Sequence, residues 1–266
     1  MVWAFALIVL AVPVGLVLLR PVASRHVDKD VQGIKTEHIV APVVSLAVFL
    51  SAFVVAQATI SYQRANDQAG NEGGAVDLLF ESAGLLPDEG GRTLQEATVC
   101  YARAVERQEF PAMQDGETAD AVGEWTEVIR TELPEIVDGP SPVVSSVLQL
   151  DRQRAEARRL RLTEAVPSIP TLVLLLMVTA VLGVVLALTT LALPAIRRRN
   201  LAVISLVIAV LLGGTLFLVE EMEEPYSGVV RISPDAIART AESSAEDYAV
   251  DYPGAELPCD EMGNPA

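Results

Sequence analysis

The sequence predicts an all-α integral membrane protein with four transmembrane helices and a helical insert between spans 2 and 3. Four stretches at residues 1–19, 39–61, 171–193 and 201–219 are apolar and free of charged residues. Each is close to the ~20 residues that cross a bilayer core. Residues 62–168, between the second and third, are instead polar and acidic. Within that insert apolar residues recur at helical three- and four-residue steps, with no sustained period-2 alternation.

The apolar fraction of 51% is only slightly above the ~45–50% of soluble chains, because a hydrophilic half dilutes a lipidic one. The net charge of −16 belongs to that hydrophilic half. Residues 58–168 hold 20 Asp/Glu against 10 Arg, and residues 220–266 hold 12 against 2. Such a balance argues against phosphate-backbone binding and against docking to anionic head groups, so no nucleic acid partner is expected. The expected surroundings are the lipid bilayer of the plasma membrane, a homo-oligomer, or a protein partner of the acidic insert.

Taken in order, the first apolar run (1–19) lacks a basic leader and an A-x-A-like cleavage site, which reads as an uncleaved span. Residues 20–38 form a short basic loop with Arg20, Arg25 and Lys29, and 39–61 form the second span. The helix then continues beyond the membrane with Ala65, Ala69, Val76, Leu79, Phe80 and Ala83 on one face, weakened at Gly70, Gly73 and Gly74. A turn follows at 86–91, and Thr93 with Glu96 reads as a capping box opening the next helix. Its buried stripe is Leu94, Thr98, Tyr101 and Val105, with Cys100 about 100° off it.

A third helix carries Val122, Trp125, Val128, Ile129 and Leu133 and stops near Pro134. Ser141-Pro142 caps a fourth, apolar at Val144, Val147, Leu148 and Ala155, that ends near Thr163 before Pro167 and Pro170. Spans three (171–193) and four (201–219) are joined by the basic loop 194–200, and 220–266 form an acidic tail expected to be partly disordered.

Lys and Arg near the spans place loops 20–38 and 194–200 in the cytoplasm, and hence the insert and both termini outside. Arg152, Arg154, Arg158, Arg159 and Arg161 pull the other way, although the rule loses force across so long an insert.

No nucleophile constellation, phosphate-cradling glycine loop or C-x-x-C is present, and His26 and His38 lack a metal-ligand spacing. Enzymatic activity and a cofactor are therefore not expected. With no charge inside the spans, a proton relay is not expected either. Ser51 and Thr59 could line a pore, and Gly213 and Gly214 permit close helix packing or a hinge. Glu220, Glu221, Glu223 and Glu224 read first as a topology signal and solvated collar, and alternatively as a cation collar in an oligomer. An even number of spans separates Cys100 from Cys259, so both lie in one compartment. They suit either a disulfide or two unrelated thiols.

Three segments carry a resemblance. Residues 101–111 (Tyr-Ala-Arg-Ala-Val-Glu-Arg-Gln-Glu-Phe-Pro) form a tyrosine helix with an acidic–aromatic–proline stop. Residues 154–162 are a basic segment before the third span, and 224–234 form a proline–aromatic–Ser-Gly strand after the fourth. In these segments and in its layout the chain resembles the bestrophin-like bacterial membrane proteins. True bestrophins are pentameric anion channels with four spans per subunit and cytoplasmic termini, so the resemblance implies an oligomeric channel. The residues themselves point first to a non-enzymatic interaction or envelope protein using its acidic helical domain, with a bestrophin-like ion channel or pore as the alternative.

Overall fold

The computed structural model describes residues 37–86, 89–135, 142–166, 169–192 and 198–266. The first span, His26 and the Ser141 cap lie outside these residues. Seven helices of more than one turn are described: α1 (Glu37–Ala83), α2 (Glu89–Ala104), α3 (Asp120–Glu135), α4 (Pro142–Glu164), α5 (Thr171–Ala192), α6 (Arg198–Glu223) and α7 (Asp235–Asp251). Among the described residues there is no strand, only an isolated bridge between Cys259 and Pro265. The chain divides into two compact units, Met1–Ile60 with Ser168–Glu223 and Ser61–Pro167 with Glu224–Ala266, and α1 passes from one into the other.

The first unit has an apolar outside. Val54 and Ala58 of α1, Met177 of α5, Val219 of α6 and Ile169 form a small core. Large apolar side chains also face outward: Phe49, Phe53, Leu172, Leu175 and Leu211 are each more than half exposed. Water penalises such a surface at ~25 cal/mol per Å² of apolar area, whereas hydrocarbon does not. Residues Val44–Ala83 are long and apolar enough to cross a membrane, and Thr171–Val184 is a shorter apolar helix.

The second unit is arranged in the opposite way. Ala65, Ala69, Val76, Leu79 and Ala83 of α1 are buried against Leu94 and Tyr101 of α2, Val122 and Ile129 of α3, and Val144 and Val147 of α4. The glycines of α1 do not interrupt it. Gly73 has a packing reason: a Cβ there would sit 3.1 Å from the Ala236 carbonyl carbon and 3.2 Å from the Ile237 nitrogen, where α7 begins.

Three expectations require correction. Helix α2 opens at Glu89, not at a Thr93 box. The Thr93 hydroxyl donates back to the Glu89 carbonyl at 3.1 Å, and Glu96 is drawn away by Arg92 and the Tyr248 hydroxyl. Residues 224–234 form turns and bends, not a strand: the Ile232 amide closes onto the Pro225 carbonyl at 2.8 Å, leaving no neighbouring strand to pair with.

The third correction concerns the tail, which is built rather than loose. Ile237, Ala241, Ser244 and Tyr248 recur at helical steps and are the buried face of α7, and Tyr248 joins Phe80 and Val99 in a satellite core. The last residues fold back onto α2 and α3. Cys259 is disulfide-bonded to Cys100 across 159 residues, with Cα atoms 5.8 Å apart. The Trp125 indole donates to the Gly263 carbonyl at 2.7 Å, and the Gln108 amide donates to the Met262 carbonyl at 2.7 Å. Gly263 has φ of 79°, and a Cβ there would collide with the Ala104 backbone, so only glycine fits.

Because the bridge closes so long a loop, Cys259→Ser should destabilise the second unit by about 2–4 kcal/mol. Urea titration of the full-length protein, followed by tryptophan fluorescence, measures this. An unchanged midpoint would show that the tail is held by its other contacts.

Candidate functional site

At the centre of the second unit lies a cluster of charges almost wholly removed from solvent. Arg161 and Glu109 are fully buried and Glu72 is 1% exposed. Each comes from a different element. Glu72 sits on α1 at the gap in the stripe Ala65, Ala69, Val76, Leu79, where the three- and four-residue spacing calls for an inward side chain. On α4 the inward stripe begins as Val144 and Val147 and continues at the same spacing as Asp151, Arg154, Arg158 and Arg161. The apolar face of that helix thus becomes an ionic one halfway along.

Glu109 is delivered by a local irregularity. Past Ala104 the helix widens into a π-turn, Val105–Glu109, where the Phe110 amide donates to the Val105 carbonyl. Pro111 has no N–H for the Arg107 carbonyl, which favours such a change of hydrogen-bond pattern. A 3-10 turn, Met113–Asp115, and a left-handed Gly116 (φ 75°) then end the segment. Glu109 and Phe110 are left pointing into the core.

Arg161 is the hub. Its Nε donates to Glu72 Oε2 at 2.5 Å, and Nη2 donates to Glu72 Oε1 at 3.3 Å and to Glu109 Oε2. Arg158 Nη2 donates to the other Glu109 oxygen at 2.5 Å. The Tyr101 hydroxyl donates to Glu72 Oε1 at 2.5 Å. Arg154 lies over the Tyr101 ring, 4.6 Å from its centroid, and pairs with Asp151 at 2.5 Å. The Arg161 guanidinium lies 4.9 Å from the Phe110 centroid, and Phe110 meets Tyr226 edge-on at 5.7 Å. Tyr226 in turn donates to the Ala65 carbonyl at 3.3 Å. Three guanidiniums therefore face three carboxylates, and the cluster is neutral.

The electrostatics follow from burial opposed by pairing. Burial pushes the Tyr101 phenol up, and the adjacent Glu72 carboxylate pushes it further, so Tyr101 stays a neutral donor. Burial opposes the Arg161 charge, but Glu72 and Glu109 outweigh it and raise its pKa. Burial alone would raise the Glu109 carboxyl; the Arg161 and Arg158 guanidiniums reverse this and hold it below its ordinary value. No nucleophile stands beside a base here. What this arrangement can do is pin α1, α2, the π-turn and α4 in one register.

The bestrophin-like segments identified in the sequence converge on this cluster: Tyr101, Glu109 and Phe110 from the first, Arg154, Arg158 and Arg161 from the second, and Tyr226 from the third. Glu72 was missed, although a carboxylate filling a gap in an apolar stripe was the available signal.

The residues singled out earlier lie elsewhere. Ser51 and Thr59 are half-buried on α1; the Thr59 hydroxyl donates to the Val55 carbonyl at 2.8 Å and contacts Met222 Sδ at 3.6 Å. Gly213 and Gly214 are within α6, and a Cβ at Gly214 would meet nothing. Glu220, Glu221 and Glu223 end α6; Glu223 accepts the Ile169 amide at 2.7 Å, while Glu224 accepts the Ser227 hydroxyl at 3.0 Å. Among the described residues, no group of three or more His, Cys, Asp or Glu is arranged to hold a metal ion. Cys100 and Cys259 are brought together in the disulfide.

Two predictions follow from the cluster. Removing one partner of a buried pair strands the other, so Glu72→Ala or Arg161→Met should cost about 3–5 kcal/mol in chemical unfolding of the full-length protein. Because the folded-state pKa of Glu109 is depressed, its contribution is present above the ordinary value of 4.5 and fades as pH falls below it through the folded value. Thermal midpoints between pH 7 and 3 should accordingly fall less steeply for Glu109→Gln than for the wild type; parallel curves would exclude this role.

Comparison with known proteins bears on the same elements. The Bestrophin-like domain model matches residues 6–237. A bacterial bestrophin homologue from Klebsiella pneumoniae superposes with a TM-score of 0.69 at 13% identity, covering 95% of this chain and 99% of that one. A point mutant of the same homologue superposes at 0.69 and 14% identity, covering 91% and 99%. A crystal structure described as a membrane protein variant gives 0.67 and 14%, covering 92% and 100%. No curated protein matches the chain. At these identities the structures establish the fold, and the family model, spanning most of the sequence, establishes that the chain belongs to the Bestrophin-like family.

Proposed function

We propose that this protein is the subunit of an oligomeric, bestrophin-like ion channel or pore in the plasma membrane. Membership of the family is the observation that carries this reading. It favours a channel over the non-enzymatic envelope or interaction protein first expected from the residues. The large exposed apolar side chains on the described helices of the first unit support a lipid setting. Four spans, at residues 1–19, 39–61, 171–193 and 201–219, belong to the proposal. Ser51, Thr59, Gly213 and Gly214 are its lining or hinge candidates, and the carboxylates Glu220, Glu221, Glu223 and Glu224 its cation-attracting collar.

The insert and both termini are proposed to face the exterior. Support comes from the Cys100–Cys259 bond, which suits an oxidising compartment, and from the basic short loops. Four of the five arginines that argued otherwise have local partners: Arg154 with Asp151, Arg158 and Arg161 with Glu109, and Arg159 with Glu156.

The purified oligomer should show unitary currents in planar bilayers. Silence across several salts and voltages, from a preparation shown to be folded and oligomeric, would overturn the channel reading. For orientation, alkaline phosphatase fused after Ala266 should be active and a fluorescent protein at the same place dark in a bacterial host. The converse result would invert the topology.

A further inference from the structure

One surface of the second unit departs from its acidic character. Between α3 and α4 lies a cleft of about 530 Å³ lined by Arg130, Arg152, Arg154, Arg158 and Arg159, with Glu156 as the acidic residue in its wall. Five of the ten arginines of residues 58–168 therefore meet at one place, in a stretch that carries 20 Asp/Glu.

Pairing does not use up these donors. Glu156 is taken by Arg159, Asp151 by Arg154 and Glu109 by Arg158. Arg152 makes no ion pair among the described residues, and Arg130 reaches only Glu127, at 4.0 Å and exposed. The decisive atom is Arg154 Nη1. Arg154 is 1% exposed, its Nε and Nη2 are held by Asp151, and its Nη1 is buried without a hydrogen-bond partner. A buried guanidinium nitrogen without an acceptor is unfavourable, and because Arg154 lines the cleft, an acceptor seated there is the natural partner for it.

We propose that this cleft is a binding site for a phosphate group. Several guanidinium forks match the paired oxygens of an oxyanion, which accepts two parallel N–H bonds from one arginine where a spherical halide accepts only converging ones. The volume falls within the range of small-ligand sites and suits a phosphate with a modest substituent. Arg152 supplies a charge with no ion pair among the described residues and Arg130 one paired only at long, exposed range, while Arg154 supplies the buried donor. The site goes beyond the channel reading, and its occupancy is measured without current.

The test uses the full-length protein in detergent and the double variant Arg130→Gln/Arg152→Gln. Both side chains are surface-exposed, so the fold should survive, and circular dichroism checks this. Calorimetric titration with inorganic phosphate against chloride of equal ionic strength should show saturable phosphate binding, weakened at least tenfold in the variant. A second arm compares thermal unfolding in nanodiscs of phosphatidylcholine with and without phosphatidic acid. Stabilisation confined to phosphatidic acid and lost in the variant would assign the phosphate to a lipid. Identical behaviour of phosphate and chloride together with no phosphatidic acid effect, or equal binding by wild type and variant, would overturn the proposal.

Discussion

The bond on which this molecule turns is the one between Arg161 and its two carboxylates. A guanidinium with no exposed surface carries a desolvation cost of several kcal/mol, and only close, multiple hydrogen bonds can offset it. Arg161 obtains them from Glu72 on α1 and Glu109 on the π-turn, with Phe110 against its face. An apolar core of the same volume would hold these helices together as tightly. A salt-bridged core adds discrimination: sliding α4 by one residue would turn Arg161 away and strand two buried carboxylates. The cluster thus makes one register of α1, α2 and α4 far better than its neighbours. Every basic residue of 58–168 is arginine, the side chain whose planar fork suits such shared pairing.

Much of the second unit could be read from spacing alone. The stripes Leu94, Thr98, Tyr101, Val105 and Val122, Trp125, Ile129, Leu133 are buried as expected, with Val128 only partly so, because an apolar face recurring every three to four residues has little else to do. Spacing failed where the inward residue was polar. On α4 the stripe was followed through Val144 and Val147 and then abandoned at Asp151, although Arg154, Arg158 and Arg161 keep the same period, and Arg154 and Arg161 are more deeply buried than Leu148 or Ala155. Hydrophobicity is a proxy for direction; a charge at the right phase points inward just as firmly when a partner waits there. Glu72 was overlooked for the same reason. The π-turn had no signal beyond Pro111, since a single widened turn depends on what Glu109 and Phe110 find in three dimensions.

The tail shows a different limit. Its composition is acidic and poor in large apolar residues, which reads as loose chain. Its order comes instead from a few specific attachments: the stripe of α7, the Cys100–Cys259 bond, and a glycine pressed against the Ala104 backbone. Composition averages over such contacts and cannot register them. The strand that the resemblance implied at 224–234 failed in a related way, because a strand needs a neighbour and none is there among the described residues.

The second unit is assembled from two stretches that are made at different times. Residues 61–167 emerge from the ribosome before the last two apolar helices, and residues 224–266 only after them. Until then Cys100 has no mate, the flank of α2 that receives Tyr248 is bare, and Trp125 lacks its acceptor. Closure of the bridge therefore records that residues 224–266 have been made and have met residues 61–167. A chain truncated or threaded incorrectly would keep a free thiol and an open flank, the kind of defect that cellular surveillance detects.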